Sequence, residues 1–397
     1  MTSLVFYFQV HQPFRVKAYP HDAIGVRHDY YDDWLNEDVA KRVAQLCYLP
    51  MNETLLQAIE RTDGAFRCSF SISGTAIRQF ERWAPEVLSS FRKLAETGAV
   101  EFLCETSRHS LAALADPEEF RIQVAEQRAL LKQHFGVEPT SFRNTELITD
   151  ERVAAQVKEL GFKVLLAEGA DQLLHGKTSN VLYAMEGAGG FPLMLRDYPL
   201  SDDIAFRFSN TAWEQYPLYA ETFVEWLETL QGEKSFIGLY MDYETFGEHQ
   251  PRSTGIFEFM AALPEMVLAS EKDLNFATPA ELAAREHPKE GIHYPRPISW
   301  ADEERDLSAW LGNHMQRAAH DAIYALANAA RSCGDPQLLE DWRDMTTSDH
   351  VYYLSTKCAS DGDVHQYFSP YESPHDAFLT IMNVLEDLAR RLGVSRG

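Results

Sequence analysis

Two carboxylates, Glu146 and Asp242, are the residues with the clearest chemical potential, because each follows a predicted strand. Paired carboxylates can cleave an acetal. One attacks or stabilises an oxocarbenium-like carbon, and the other, kept protonated by its surroundings, donates to the leaving oxygen. The chain contains 60 acidic residues, so one pair is weak evidence, and a salt bridge with Arg143 would equally explain Glu146.

The segment from Ser235 to His249 strengthens this interpretation. Its first half, Phe236 to Met241, is an apolar run that predicts a strand buried on both faces. The second half holds a cluster of titratable residues: Asp242, Glu244, Glu248 and His249. Active sites of parallel α/β folds lie where strands end. A solvated acidic turn is the alternative explanation.

Other predicted strands also end in polar residues, namely His11 with Gln12 and Glu105 with His109. Imidazole and amide groups suit the hydroxyls of a sugar. A histidine after a strand is more often structural, however, and His11 has that alternative. Tryptophans such as Trp300 and Trp310 could either pack a core or support the apolar face of a sugar ring.

Metal chemistry is the main competitor, since His11, His109, Asp242 and His249 could converge as ligands. No HxH or HExxH spacing supports this. The sequence also lacks a GxSxG nucleophile elbow and the glycine-rich loops that hold phosphates.

Composition indicates a globular protein, with 45% hydrophobic and 12% aromatic residues. The 36 Lys and Arg against 60 Asp and Glu give a net charge of -24, which disfavours nucleic acid and anionic membranes as partners. The start of the chain lacks the features of a secretion signal, and the 5 cysteines form no CxxC pair. We therefore expect a cytoplasmic protein.

Strands and amphipathic helices alternate along the first part of the chain, which predicts a parallel α/β fold. Several strands, rather than two, end in polar clusters, and this favours a barrel over a doubly wound sheet. A strand is predicted at Ile204 to Phe208 and a helix at Thr75 to Glu96. Glu286 to Ser299 reads as a linker, and the helices after it predict a bundle.

Five blocks of the sequence resemble glycoside hydrolase family 57. In chain order they are His11-Gln12-Pro13, Gly98-Ala99-Val100-Glu101, Phe142-Arg143-Asn144-Thr145-Glu146, Met241 to His249, and Trp300 to Asn313. The resemblance implies an irregular seven-stranded parallel (β/α)7 barrel over residues 1–290 and a helical bundle over 291–397 that contributes to the active-site mouth. It also implies retaining chemistry on α-glucans or maltooligosaccharides, with no cofactor or metal.

The resemblance assigns the nucleophile to Glu146 and the general acid/base to Asp242. Substrate contacts are expected from a further set: His11, Gln12, Glu101, His109, Glu244, His249, Trp300, Asp302, Asp306 and Trp310, with Glu101 either structural or on the substrate side. The residues of the third and fourth blocks are most similar to those of the family's α-amylases. Ser107 and Arg108 replace expected aromatic residues, which predicts an altered sugar-stacking surface.

Three alternatives remain open at this stage. The same site could transfer the glycosyl group, as 4-α-glucanotransferases and branching enzymes do. A metal-dependent deacetylase or mannosidase could use His11, Asp242 and His249 as ligands. A glycan sensor would bind oligosaccharide without cleaving it. The oligomeric state is not indicated by the sequence.

Overall fold

The computed structural model describes residues 2–230 and 234–394. Its strands, in chain order, are β1 Thr2–Val10, β2 Cys68–Ile72, β3 Val100–Phe102, β4 Ser141–Arg143, β5 Val164–Glu168, β6 Tyr183–Met185, β7 Phe191–Arg196, β8 Phe236–Asp242, β9 Leu274–Phe276 and β10 Glu290–Ile292.

The α-helices of the first 290 residues are α1 Asp33–Val43, α2 Leu49–Arg61, α3 Gly74–Trp83, α4 Pro85–Glu96, α5 Ala112–Ala115, α6 Pro117–Phe135, α7 Glu151–Glu159, α8 Asp171–Leu174, α9 Tyr198–Asp202, α10 Ala220–Thr229, α11 Ile256–Leu268 and α12 Pro279–Arg285. Those that follow are α13 Ser308–Leu311, α14 His314–Ala325, α15 Ala327–Ser332, α16 Pro336–Met345, α17 Asp349–Tyr352, α18 Ala359–Phe368 and α19 Pro374–Arg391. Short 3₁₀ turns span His21–Ala23, Thr145–Leu147, Glu186–Ala188, Tyr243–Thr245 and Arg252–Thr254, and π-helical turns span Ala44–Tyr48 and Asp203–Arg207.

The strands form two sheets within the described residues. The first has the order β3-β2-β1-β8, with β9 also pairing to β1, and all of its pairs are parallel. The second has the order β10-β6-β7-β5-β4, in which β6 and β7 are antiparallel. Backbone hydrogen bonds join the sheets at two places. Cys104 N donates to Ser141 O at 3.1 Å and Cys104 O accepts from Arg143 N at 2.9 Å, while Asp197 N donates to Gly238 O at 2.8 Å. The carboxyl ends of the parallel strands therefore face one shared region.

Apolar side chains fill the space between the sheets and the layers outside them. Val5, Tyr7, Leu166, Met194 and Tyr240 belong to a buried cluster drawn from both sheets. A larger cluster packs the first sheet against its surrounding helices, and another does the same for the second sheet. This packing fixes the strand ends that carry the polar residues.

The C-terminal helices form their own apolar core, in which Trp342 is fully buried. Residues of the loop after β1, including Val16, Tyr19 and Tyr30, pack into the same core. The loop that begins at His11 is therefore packed between the strands and the C-terminal helices. No helix in residues 2–230 or 234–394 is both long and apolar enough to cross a membrane.

Three expectations about local structure were wrong. Ile204 to Phe208 lies in a π-helical turn and its continuation instead of a strand. The expected linker contains β10 and a bridge between Ile298 and Thr149, so it belongs to the second sheet and its surroundings. The helix expected at Thr75 to Glu96 is two helices, because Pro85 lacks the N–H that would continue the first one.

Candidate active site

Glu146 lies in the tight turn that follows β4. Its backbone φ is 57°, and that of Leu147 is 52°, in a region that residues other than glycine rarely adopt. Such backbone strain persists only where the surroundings hold it, and it concentrates at functional sites. Here Trp300 N donates to the Glu146 carbonyl at 3.3 Å, which ties the turn to the segment before α13.

Three donors surround the Glu146 carboxylate. Trp300 Nε1 donates to Oε2 at 2.8 Å, while His109 Nε2 and Ser348 Oγ lie 3.2 and 3.4 Å from Oε1. Burial acts to raise the pKa of Glu146, but the hydrogen bond and charge of His109, with the charge of Arg143, lower it below the ordinary value. Glu146 is therefore held ionised, and its side chain is still 19% exposed.

His109 is itself held by a second carboxylate, since its Nδ1 lies 2.5 Å from Glu105 Oε2. Burial acts against the charged imidazole, yet Glu105 and Glu146 together raise the pKa of His109 to about 9. Burial likewise acts to raise the pKa of Glu105, and His109 and Arg143 lower it to about 2. At neutral pH His109 is an imidazolium between two carboxylates.

His11 stacks on His109, with ring centres 4.0 Å apart and an angle of 21° between the planes. Its Nδ1 lies 2.8 Å from Ser73 Oγ, and its Nε2 lies 2.9 Å from Asp349 Oδ2. Burial and the charge of His109 lower the pKa of His11, so two stacked cations are avoided. Asp349 comes from α17, and a C-terminal helix thus reaches the site.

Asp242 ends β8, where the register places it beside Gln9 of β1. Burial and the charge of Glu146 raise its pKa to about 6, against the opposing charges of Arg143, His109 and Arg196. The two carboxyl groups are therefore shifted in opposite directions. Glu146 is favoured as an anion, and Asp242 is favoured as a proton donor at a higher pH than an ordinary aspartate. Acetal cleavage by two carboxyl groups needs this difference in protonation.

Arg143, the last residue of β4, is fully buried. Its guanidinium carbon lies 4.7 Å from the centre of the Trp300 ring and 6.0 Å from that of Tyr7. The guanidinium thus lies over the face of the same indole that donates to Glu146. Among the described residues, none accepts a hydrogen bond from its three side-chain nitrogens.

The family model described as Glycosyl hydrolase family 57 matches residues 5–295. The chain belongs to glycosyl hydrolase family 57. A protein of Methanocaldococcus jannaschii named "Putative alpha-amylase" is 39% identical over an alignment of 396 residues that covers 97% of this chain and 83% of that protein. The chain is therefore a glycoside hydrolase, and the expected family is confirmed.

Solved family 57 structures share the fold. The 4-alpha-glucanotransferase of Thermococcus litoralis has a TM-score of 0.68 at 16% identity, and the match covers 89% of this chain but only 56% of that one. The branching enzyme of Pyrococcus horikoshii has a TM-score of 0.67 at 14% identity, with 98% and 90% covered.

Gln12 and Glu244 lie beside the central residues of this family 57 site, joined through Tyr48. Gln12 Nε2 donates to the Tyr48 hydroxyl at 3.2 Å, and that hydroxyl donates to Glu244. Burial and the charge of Asp242 raise the pKa of Glu244 to about 8, so it is largely neutral at neutral pH. His249 lies further out, against the exposed rings of Tyr367 and Phe368, and burial lowers its pKa to about 4.

Several expected substrate contacts occupy structural positions instead. The indole of Trp310 is 1% exposed inside an apolar cluster, so it cannot support a sugar ring. Glu101 accepts from Ala280 N at 2.8 Å and caps α12. Asp302 is paired with Lys357 and His365, and Asp306 accepts from Ser308 N at 2.7 Å at the start of α13.

Arg108 lies within a network of ion pairs in the loop after β3. Its side chain is 5% exposed and forms ion pairs with Asp344 at 3.0 Å and with Glu126 and Glu340. Ser107 donates to Glu126 at 2.9 Å. These residues connect the loop after β3 to α6 and α16.

The alternative metal set is not brought together. Within residues 2–230 and 234–394, ligand atoms of His11, Asp242 and His249 do not gather as a metal-sized group. Both nitrogens of His11 are already engaged by Ser73 and Asp349. The residues present do not fit a catalytic zinc ion with an open position.

Sequence reasoning missed three contributors to the site: Ser348, Asp349 and the role of Arg143. Ser348 and Asp349 lie in a polar run, TTSDH, far from the other blocks, and that run was the available signal. Arg143 stood inside a recognised block but was considered only as a partner for Glu146.

Proposed function

We propose that this family 57 protein is a retaining α-amylase-type hydrolase that cleaves α-1,4-glucosidic bonds in α-glucans or maltooligosaccharides. The observation that carries the proposal is the Glu146 carboxylate held by Trp300 Nε1 at 2.8 Å and His109 Nε2 at 3.2 Å in the strained turn after β4. The pKa shifts support it, since the pKa is lowered at Glu146 and raised to about 6 at Asp242. The name of the Methanocaldococcus jannaschii relative supports the substrate class.

In the first step, Glu146 attacks the anomeric carbon while Asp242 protonates the departing oxygen. The C–O bond to the leaving sugar breaks, and a glycosyl ester forms on Glu146. Trp300 and His109 hold the carboxylate oxygens so that one orientation of attack is preorganised.

In the second step, Asp242 removes a proton from water, and the resulting attack on the anomeric carbon releases Glu146. Esterification removes the negative charge of Glu146. The charge of Glu146 raises the pKa of Asp242, so its loss lowers that pKa. The ionised form of Asp242 is then favoured in the step that needs a general base.

We assign the sugar subsite beside the nucleophile to His11, His109, Gln12, Glu244 and Trp300. His11 and His109 form a stacked pair beside the nucleophile, and the Gln12, Tyr48 and Glu244 chain supplies amide, hydroxyl and carboxyl groups. Such neutral and charged donors and acceptors match sugar hydroxyls. His249 and the exposed rings beside it are assigned to a more distant sugar unit.

We infer that the two sheets together correspond to an irregular seven-stranded barrel, formed by β1, β2, β3, β4, β5, β7 and β8. The backbone links at Cys104 and Gly238 support this closure, since they lie at the two seams. The catalytic barrel then spans residues 1–290, and the bundle of residues 291–397 contributes to its mouth through Ser348 and Asp349.

The runner-up function is glycosyl transfer at the same site, because the intermediate can pass to another glucan in place of water. The fold similarity to a 4-alpha-glucanotransferase and a branching enzyme keeps this alternative.

Incubation of the protein with maltoheptaose tests the proposal. We expect shorter products only, whereas products longer than maltoheptaose would favour transfer. Glu146→Gln should lower turnover on the order of a thousandfold or more with the fold intact. The control is Glu151→Gln, a carboxylate on α7 that contacts His293 and should leave turnover unchanged. Wild-type turnover in Glu146→Gln would refute the nucleophile assignment.

A further inference from the structure

Arg143 carries a buried positive charge, which is unfavourable for folding. It is fully buried, and among the described residues no group accepts a hydrogen bond from its Nε, Nη1 or Nη2. A buried cation without hydrogen-bond acceptors is unfavourable in general. The cation–π contacts with the Trp300 and Tyr7 rings offset part of this cost.

The groups around this cation are mostly acids. Its charge acts on Glu105, Glu146, Asp242 and the Tyr7 hydroxyl. The other charged or titratable groups that act on those carboxyls are His109, Asp349 and Arg196. Of the two arginines, Arg196 is already paired with Glu168 and Asp202, so Arg143 is the arginine whose donors are uncommitted among the described residues.

Arg143 is also linked to the nucleophile mechanically. Its guanidinium carbon lies over the Trp300 ring, 4.7 Å from the ring centre, and the Nε1 of that indole donates to Glu146 Oε2 at 2.8 Å. A guanidinium is planar and weakly hydrated, so it packs on an aromatic ring in a way that a tetrahedral ammonium does not.

We propose that Arg143 is a positioning residue for the reaction at Glu146: its buried guanidinium places a fixed positive charge among the carboxyl groups of the site, and its contact with the Trp300 ring aligns the indole with the nucleophile. The inference rests on the proposed function for its catalytic meaning. It assigns two separable contributions, charge and plane, to one side chain.

Three variants separate these contributions. Arg143→Met removes both charge and plane, Arg143→Gln keeps a planar group without charge, and Arg143→Lys keeps a charge without the plane. The control is Arg128→Met, which removes an arginine stacked at 4.2 Å on Phe162, on the outer side of β4.

The pH profile of kcat/KM on maltoheptaose is the main measurement. The cation lowers the pKa values of Glu146 and Asp242, so its removal should raise both. In Arg143→Met and Arg143→Gln, the acid and alkaline limbs of the profile should therefore move to higher pH by about one unit. In Arg143→Lys both limbs should stay in place while kcat falls about tenfold, because Trp300 loses its support. Arg128→Met should show neither change.

A lower activity in Arg143→Met and Arg143→Gln with both limbs unmoved would overturn the proposal, because a purely structural role predicts that result. Equal limb shifts in Arg143→Lys and Arg143→Gln would overturn the charge assignment. If Arg143→Met does not fold, Arg143→Gln provides the same test of charge. If the wild-type protein is inactive on maltoheptaose, the proposed function is refuted. Titration of the carboxyl groups by ¹³C NMR then still tests the charge effect of Arg143, because it needs no turnover.

Discussion

Glu146 and Asp242 have the same functional group, yet their surroundings separate them. Donors from His109 and Trp300 surround Glu146, whereas burial and the neighbouring anion raise the pKa of Asp242 to about 6. Sequence spacing could bring both residues to strand ends but could not tell acid from nucleophile. That assignment came from the family resemblance, and the opposed pKa shifts give it a physical reason.

Asp242 must be protonated in the first step, so kcat/KM should fall as the pH rises through about 6. The acid limb should lie below the ordinary range of a glutamate, because His109 and Arg143 lower the pKa of Glu146. A pH profile on maltoheptaose measures both limbs. An alkaline limb above pH 8 would contradict the assigned environment of Asp242.

Replacing Asp242 by Asn removes the proposed general acid but leaves Glu146, the proposed nucleophile. Cleavage of maltoheptaose should drop about a thousandfold. The first step on α-glucosyl fluoride should be nearly unchanged, because fluoride leaves without protonation. The two rates are compared by single-turnover kinetics, with Asp321→Asn, an 80% exposed carboxylate, as the control. Equal losses on both substrates would exclude the general-acid role.

At the scale of elements, the loop after β3 has two faces. His109, with φ of 51°, points to Glu146, while Arg108 points to the helices and pairs with Asp344, Glu126 and Glu340. The loop can therefore hold His109 accurately only if its outer face is anchored. The sequence showed the unusual Arg108 but not its direction, since loop geometry follows from tertiary packing.

Arg108→Met should destabilise the protein by about 3 kcal/mol, because it leaves buried Asp344 without one of its cations. The control is Lys41→Met, which breaks an exposed pair within α1 and should cost about 0.5 kcal/mol or less. Urea unfolding followed by circular dichroism compares the two. A loss in Arg108→Met no larger than in the control would show that the network does not anchor the loop.

Long apolar strands were the most predictable elements. β1 and β8 are continuous buried runs, and both were expected. Ile204 to Phe208 was misjudged because a short apolar run fits a buried helical turn as well as a strand. β10 lies within a Pro-rich stretch whose composition indicates a linker, and only pairing with β6 makes it a strand.

At the scale of the whole molecule, the site depends on parts of the chain that no local pattern connects. Ser348 and Asp349 arrive from the C-terminal helices, and Trp300 crosses from the segment before them. Trp310, which was expected to contact substrate, is instead 1% exposed within an apolar cluster. Large aromatic residues fill cores as often as they line sites, and sequence alone does not separate the two.

Trapping the glycosyl intermediate tests the central claim most directly. A 5-fluoro-α-glucosyl fluoride forms the ester quickly, because fluoride leaves easily, and the ring fluorine then slows its hydrolysis. Digestion and mass spectrometry should find one 5-fluoroglucosyl group on the peptide that contains Glu146, and none in Glu146→Gln. An adduct on a different carboxylate in the wild-type protein would contradict the account.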